Sequence, residues 1–171
     1  MHLTGEKQGD PYKLGFAIVD VVTSLYASNA ILSGLIHQMQ TGQGIHLKTS
    51  LYESAVAGLI NQGSNYLNGG VNPIRMCNHH PNIVPYGLYQ TKTLPIVICV
   101  GTQDQYGNLL EALGMEDREE FRTNEGRVQN RGIFDKSLNE KLMEFTLEEA
   151  SLLLEERKVP CGRVNDLQGM F

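Results

Sequence analysis

Cysteine is scarce in this sequence. Cys77, Cys99 and Cys161 are widely spaced, odd in number and without a C-x-x-C pair. That usage argues against a disulfide scaffold and fits a reducing compartment. Basic charge is also short: 14 Lys and Arg stand against 19 Asp and Glu, a net charge of -5. With no basic face, nucleic acid is not an expected partner. No N-x-S/T sequon supports secretion, and the opening Met1-His2-Leu3-Thr4-Gly5-Glu6 resembles neither a signal peptide nor an Arg-rich transit peptide. The apolar uncharged run at 21–36 falls short of the roughly 20 residues of a bilayer span. It also carries Thr23, Ser24, Tyr26, Asn29 and Ser33. It reads as a buried soluble helix, and no membrane partner is expected.

Several kinds of chemistry are missing as well. No glycine-rich phosphate cradle is present, because Thr41-Gly42-Gln43-Gly44 follows a helical pattern where a dinucleotide loop would follow a strand. No G-x-S-x-G nucleophile elbow occurs. Cys77, His79 and His80 could together touch one zinc ion, yet no second cluster supplies the remaining ligands at a recognisable spacing. They read as a loop, and no metal site is expected.

Hydrophobic residues make up 41% and charged residues 19%, enough apolar material for a core and too much for global disorder. A polar loop over 1–13 leads into a long helical pattern over 15–40. In that pattern Phe16, Val19, Val22, Leu25, Tyr26, Ile31, Leu32, Leu35, Ile36 and Met39 recur at helical spacing. Interleaved Ala17, Ala27, Ser28, Ala30, Ser33 and Gly34 predict packing on more than one side, and Gly42 and Gly44 predict the stop. Residues 45–49 alternate as a short strand. Ser50 with Glu53 has the spacing of a capping box. It opens a helix to about Leu67, with Leu51, Ala55, Leu59 and Ile60 inward, ended by Asn68-Gly69-Gly70. Residues 71–85 read as irregular, and a boundary is expected near 68–85. A hairpin over 87–90 and 96–100 follows, then helices over 104–113, 136–145 and 146–158. Thr146 and Glu149 mark the start of the third. Residues 159–164 read as extended. The sequence closes on the apolar Phe171, whereas chain ends are more often polar and frayed, so a piece of a longer chain is expected.

Asp20 is the only carboxylate between Gly15 and Gly42, at or near the start of an otherwise apolar helix. The unpaired amides and the dipole of a helix N-terminus stabilise a carboxylate there. On these grounds alone a structural role such as capping is favoured over a chemical one.

The order of motifs adds more. Gly9-Asp10-Pro11, Asp20, the small-residue-rich helix, Thr41-Gly42-Gln43-Gly44 and Leu51-Tyr52-Glu53-Ser54 resemble the family III CoA-transferases, also called the CaiB/BaiF family. So do His80-Pro81-Asn82-Ile83-Val84-Pro85-Tyr86, Thr123-Asn124 with Arg127-Val128 and Asn130-Arg131, and Val159-Pro160-Cys161-Gly162. The resemblance covers essentially the whole sequence. Within the family, 5–11 and 83–86 are most similar to the succinate–hydroxymethylglutarate branch, a mitochondrial branch of glutarate handling. The glycine run of the formyl-CoA branch has no counterpart.

The resemblance implies an α/β fold, a fragment of the family's interlocked dimer. Residues 1–70 would be part of the large CoA-binding domain, and 71–171 a small α+β domain with the start of the return. It implies Asp20 as nucleophile, passing an acyl group through an aspartyl anhydride and an aspartyl-CoA thioester from succinyl-CoA, or a similar dicarboxylyl-CoA, to a free carboxylic acid. Coenzyme A would be a substrate and no cofactor permanently bound. A homodimer and a mitochondrial location are implied by the resemblance, with the cytoplasm as the alternative. The family's CoA contacts lie mostly in a part upstream of these residues, so no CoA-binding position is assigned. Two other readings stay open: proton transfer by Asp20, as in the α-methylacyl-CoA racemase branch, and a truncated, inactive product.

Overall fold

A computed structural model describes residues 2–171. The apolar run after Gly15 folds as helix α1, Ile18–Thr41, and stops where Gly42 turns left-handed (φ 71°) and donates its amide to the Gln38 carbonyl at 2.8 Å. Polar side chains inside α1 fold back on its own backbone. Thr23 Oγ1 donates to the Val19 carbonyl at 2.7 Å, and Ser24 and Asn29 donate to the Asp20 and Leu25 carbonyls at 2.9 Å.

No residue of α1 is buried, contrary to the covered helix read from the sequence. The apolar residues come in adjacent pairs, Leu25-Tyr26, Ile31-Leu32 and Leu35-Ile36, and so run round the helix. The partners in the same unit reach one side. By length and composition alone α1 also meets the measure of a membrane span. Close approach does occur at Gly34, where an added Cβ would lie 3.0 Å from Leu47 Cδ1 and 3.2 Å from Ile45 Cγ2. The strand expected at 45–49 does not form. Its Ile45 and Leu47 pack on a helix, and a strand needs a neighbour to complete its ladder.

Helix α2, Leu51–Ala57, starts at Ser50, whose Oγ accepts the Glu53 amide at 3.2 Å and donates to Glu53 Oε2 at 2.8 Å. The carboxylate thus returns to the hydroxyl, not to the Ser50 amide. The single helix read to Leu67 is two: the chain breaks at Gly58 and resumes as α3, Ile60–Gly69, with Ile60 at φ 47°. Leu51, Leu59 and Ile60 are exposed, where inward positions were expected; for Leu59 and Ile60, at the break itself, the change of helix direction is the cause. In α2 it is Ser54 that is buried. Gly70 ends α3 as anticipated.

Residues up to Cys77 form one compact unit and Asn78–Phe171 a second, so the chain parts inside the irregular stretch at 71–85. The second unit contains strands β1 (Tyr86–Tyr89), β2 (Ile96–Cys99) and β3 (Cys161–Arg163) in that order, antiparallel throughout. Tyr89 faces Ile96 across β1 and β2, and Ile98 faces Cys161 across β2 and β3. The mixed α/β character read from the sequence holds, as do the hairpin and the extended segment at 159–164.

Four further helices matter here: α4 (Gln103–Leu113), α5 (Asn124–Gln129), α6 (Arg131–Leu142) and α7 (Leu147–Glu156). Thr102 and Gln105 cap α4, and Thr146 and Glu149 cap α7, each pair as a complete reciprocal box. The expected helix at 136–145 begins at Arg131 and ends at Leu142. Ahead of it α5 was not anticipated, because Gly126 interrupts its pattern; Thr123 caps it by accepting the Gly126 amide at 3.0 Å. The core joins Tyr89, Ile96 and Ile98 of the sheet to Tyr106 and Leu109 of α4, Phe134 and Leu138 of α6, and Ala150 and Leu154 of α7.

Arg127 is buried among these groups. Its Nε donates to the Val84 carbonyl at 2.6 Å, its Nη1 donates to the Phe121 carbonyl at 2.7 Å, and its guanidinium lies 3.9 Å from the centre of the Tyr106 ring. Arg127→Met keeps an apolar stem but strands two buried carbonyls, each worth about 1–3 kcal/mol. Urea unfolding of the variant is expected to show a loss of about 3 kcal/mol; a loss below about 1 kcal/mol would mean water replaces the guanidinium.

Burial pushes the Tyr89 hydroxyl far above its ordinary value of 10, with the Asp135 charge adding to the effect. The hydroxyl donates to Asp135 Oδ1 at 2.9 Å. Because the folded pKa is raised, the stabilising contribution is complete below the unfolded value near 10. It is lost as pH rises through the folded value. In an alkaline titration followed by tyrosinate absorbance, Tyr89 is expected to ionise together with unfolding. Tyr89→Phe should remove that step; an unchanged titration would contradict the assignment.

Candidate active site

Asp20 is the third residue of α1, in its first turn, and is exposed. The residue before the helix, Ala17, offers no side chain to cap it. The positive end of the helix is therefore left to Asp20 and to whatever binds beside it. Among the described residues, no hydrogen bond or ion pair reaches the Asp20 carboxylate; its backbone carbonyl accepts from Ser24. A carboxylate acting as a cap would be engaged with the backbone; this one is free to meet a ligand.

A cleft of about 340 Å³ opens at this helix end, lined by Thr4, Lys13, Leu14, Phe16, Ala17 and Asp20 among others. The lining combines one cation, one hydroxyl and apolar surface around a single carboxylate. Such a set can hold an anionic, partly apolar molecule with its electrophilic atom near Asp20. The loop before α1 is built for this placement: the Tyr12 amide donates to the Thr4 carbonyl at 2.7 Å and the Gly9 amide donates to the Glu6 carbonyl at 3.2 Å. Thr4, Lys13 and Phe16 were not singled out in the sequence, although Lys13 and Phe16 lie within the segment between Pro11 and Asp20.

A larger cavity of about 850 Å³ lies beside α2 and α3, lined by Leu3, Val56, Leu59, Ile60, Tyr66 and Leu67 among others. Its size exceeds that of the Asp20 cleft, and its polar lining includes His2, Ser64 and Tyr66 but no carboxylate. Its lining is mainly apolar and lacks the carboxylate that defines the Asp20 cleft, so the smaller cleft is the candidate active site.

The Cys77, His79 and His80 run does not converge. Among the described residues, no group of three or more His, Cys, Asp or Glu could hold a metal ion. Cys77 Sγ accepts the Lys7 amide at 3.3 Å. His79 stands edge-on to Tyr89 with ring centres 5.5 Å apart, and its Nδ1 lies 3.8 Å from Asp135 Oδ2. His80 stacks at a tilt on Tyr86, 5.1 Å between centres.

Over residues 1–171 the chain matches the sequence model of CoA-transferase family III. It is 34% identical over its whole length to the succinate–glutarate CoA-transferase of Agrobacterium fabrum, covering 44% of that protein. It is 36% identical to the succinyl-CoA:glutarate CoA-transferase of Homo sapiens, covering 40% of it. A solved CaiB/BaiF family protein from Brucella suis matches all of this chain at 36% identity and a TM-score of 0.75, over 46% of its own length. Rv3272 from M. tuberculosis matches at a TM-score of 0.81 and 20% identity, a likeness of fold. The chain thus spans less than half the length of these relatives, and it belongs to CoA-transferase family III.

Proposed function

We propose that this chain is the nucleophile-bearing part of an enzyme that moves coenzyme A from a dicarboxylyl-CoA, such as succinyl-CoA, to a free carboxylic acid. The observation that carries the reading is Asp20: an exposed carboxylate without a protein partner among the described residues, in the uncapped first turn of a long helix, at the wall of a cleft. The relatives support the substrate class, being named for glutarate and, in Haloarcula marismortui, for mesaconate. Lys13 in the cleft is a counter-charge for a substrate carboxylate.

The steps are covalent. An Asp20 oxygen attacks the thioester carbonyl carbon and the C–S bond breaks, giving a mixed anhydride and CoA thiolate. The thiolate attacks the Asp20 acyl carbon and releases the donor acid as its carboxylate, leaving an aspartyl-CoA thioester. The acceptor carboxylate displaces the thiolate to form a second anhydride. The thiolate then attacks the acceptor's acyl carbon, yielding the new acyl-CoA and free Asp20. Each intermediate is about as activated as the thioester, so no ATP is consumed. In this scheme the amides of the first turn that lack an acceptor would stabilise the oxyanions. Coenzyme A is a substrate here, with no resident cofactor in the scheme.

On the same reading, residues 1–70 contribute to the large CoA-binding domain, and 71–171 form the small domain and the start of the return. The whole protein works as a homodimer in mitochondria. The uncovered apolar residues of α1 support burial against further protein in that assembly.

Incubation with succinyl-CoA and quenching with hydroxylamine should place a hydroxamate on Asp20, read by peptide mass spectrometry. Asp20→Ala should lower transfer by roughly a thousandfold or more while changing unfolding free energy by no more than about 1 kcal/mol. Retained turnover in a folded variant would sink the assignment. Solvent deuterium entering an α-carbon without an adduct would make Asp20 a proton carrier.

A further inference from the structure

Arg75 has no carboxylate partner among the described residues; it is spent on main-chain oxygens. Its Nε donates to the Glu6 carbonyl at 2.9 Å, its Nη2 to the Gly9 carbonyl at 2.7 Å, and its Nη1 to the His2 carbonyl at 3.4 Å. A planar guanidinium presents its donors in a fixed fork, so three carbonyls from one loop are held in one arrangement. The neighbouring segment adds two more ties: Cys77 Sγ accepts the Lys7 amide at 3.3 Å, and His2 Nε2 lies 3.2 Å from the Pro73 carbonyl. The loop is folded tightly around these groups. Gly5 sits at φ 127°, and a Cβ there would lie 2.6 Å from the Asp10 carbonyl oxygen and 3.3 Å from Arg75 Cδ. No side chain fits at that position.

The loop so held is a wall of the candidate active site. Thr4, whose carbonyl closes the loop by accepting the Tyr12 amide, lines the cleft with Asp20. Lys13 and Phe16 follow directly from the loop's end and line the same cleft. We infer that Arg75 is a positioning residue, which by clasping the 2–12 loop fixes the cleft wall against which the acyl group meets Asp20. It touches no substrate itself. The inference rests on the reading of Asp20 as nucleophile, and a misplaced wall acts on rate because reacting groups must be held to within about an ångström.

The test uses the full chain, with Arg75→Gln and Arg75→Lys, by two readouts. Lys7 and Lys13 are exposed, so trypsin reports on the loop without any reference to chemistry, in proportion to the open population. Arg75→Gln is expected to speed cleavage at both lysines about tenfold or more at an unchanged melting temperature. Millimolar guanidinium, well below denaturing levels, should restore protection. Arg75→Lys, with a single charged head, should recover protection in part. Turnover of succinyl-CoA with glutarate should fall about ten- to a hundredfold in Arg75→Gln, chiefly in kcat, and return with guanidinium.

Unchanged cleavage would overturn the clasp. Faster cleavage with unchanged turnover would overturn the positioning role. Loss of both readouts together with the melting temperature, without guanidinium rescue, would make Arg75 a structural residue and also overturn it. Retained turnover in Asp20→Ala overturns the nucleophile reading instead, and the trypsin result separates the two failures.

Discussion

The amides at the start of an α-helix point along its axis without an intrahelical acceptor. In α1 the Phe16 carbonyl takes up the Ile18 amide at 3.0 Å, and no side chain caps the amides that follow. A helix end left open in this way is a standing demand for negative charge, and the sequence meets it with Asp20 in the first turn. The rest of the local structure follows from keeping that end accessible. Ala17 precedes the helix in place of a capping residue, and the loop that walls the cleft beside the helix end is held by Arg75. The ties go to backbone carbonyls, so the loop's shape does not depend on which side chains it carries at Glu6, Lys7 or Gln8.

The two units differ in how far the sequence revealed them. In the second unit the hairpin, the cap of α7 and the end of α4 were legible because each has a local cause: the apolar run at 96–100, Thr146 with Glu149, Gly114 after Leu113. There the periodicity and the core agree, and Tyr89, Ile96, Ile98, Leu109 and Leu138 are fully buried. Helix α5 was hidden by Gly126, whose presence is dictated by a contact distant from the helical pattern. An added Cβ would come within 2.3 Å of the Glu120 carbonyl oxygen. In the first unit the helical segments were legible, but the strand expected at 45–49 does not form, the break at Gly58 was not read, and burial was not legible. The helical spacing of α1 was correct, but its covering surface is not supplied by residues 2–77. Periodicity says which residues could be buried, never what buries them. The Asp20 position was visible as an isolated carboxylate in an apolar helix. The cleft around it was not, because Thr4 reaches it through a loop folded by Arg75, far away in sequence.

Helix α1 leaves the question of what covers it, since length and composition would suit lipid as well as protein. Back-bonded Thr23, Ser24 and Asn29 do not decide, because such side chains are tolerated in either setting. The neighbours do. Tyr26 and Ala30, well inside the helix, share a cleft of about 300 Å³ with Lys48 and Glu53. Were α1 to span a bilayer, that lysine and glutamate would be carried deep toward hydrocarbon with it. A charged side chain at the bilayer centre costs about 2.5–3.5 kcal/mol even on the most lenient insertion scale. The polar Ser50–Glu53 cap that opens α2 would be carried in as well. Against protein the same groups stay at the rim of the α1–α2 contact while Ile31, Leu35 and Ile36 are covered. The polar chemistry lining the middle of the helix thus favours a protein surface as the partner of its apolar faces.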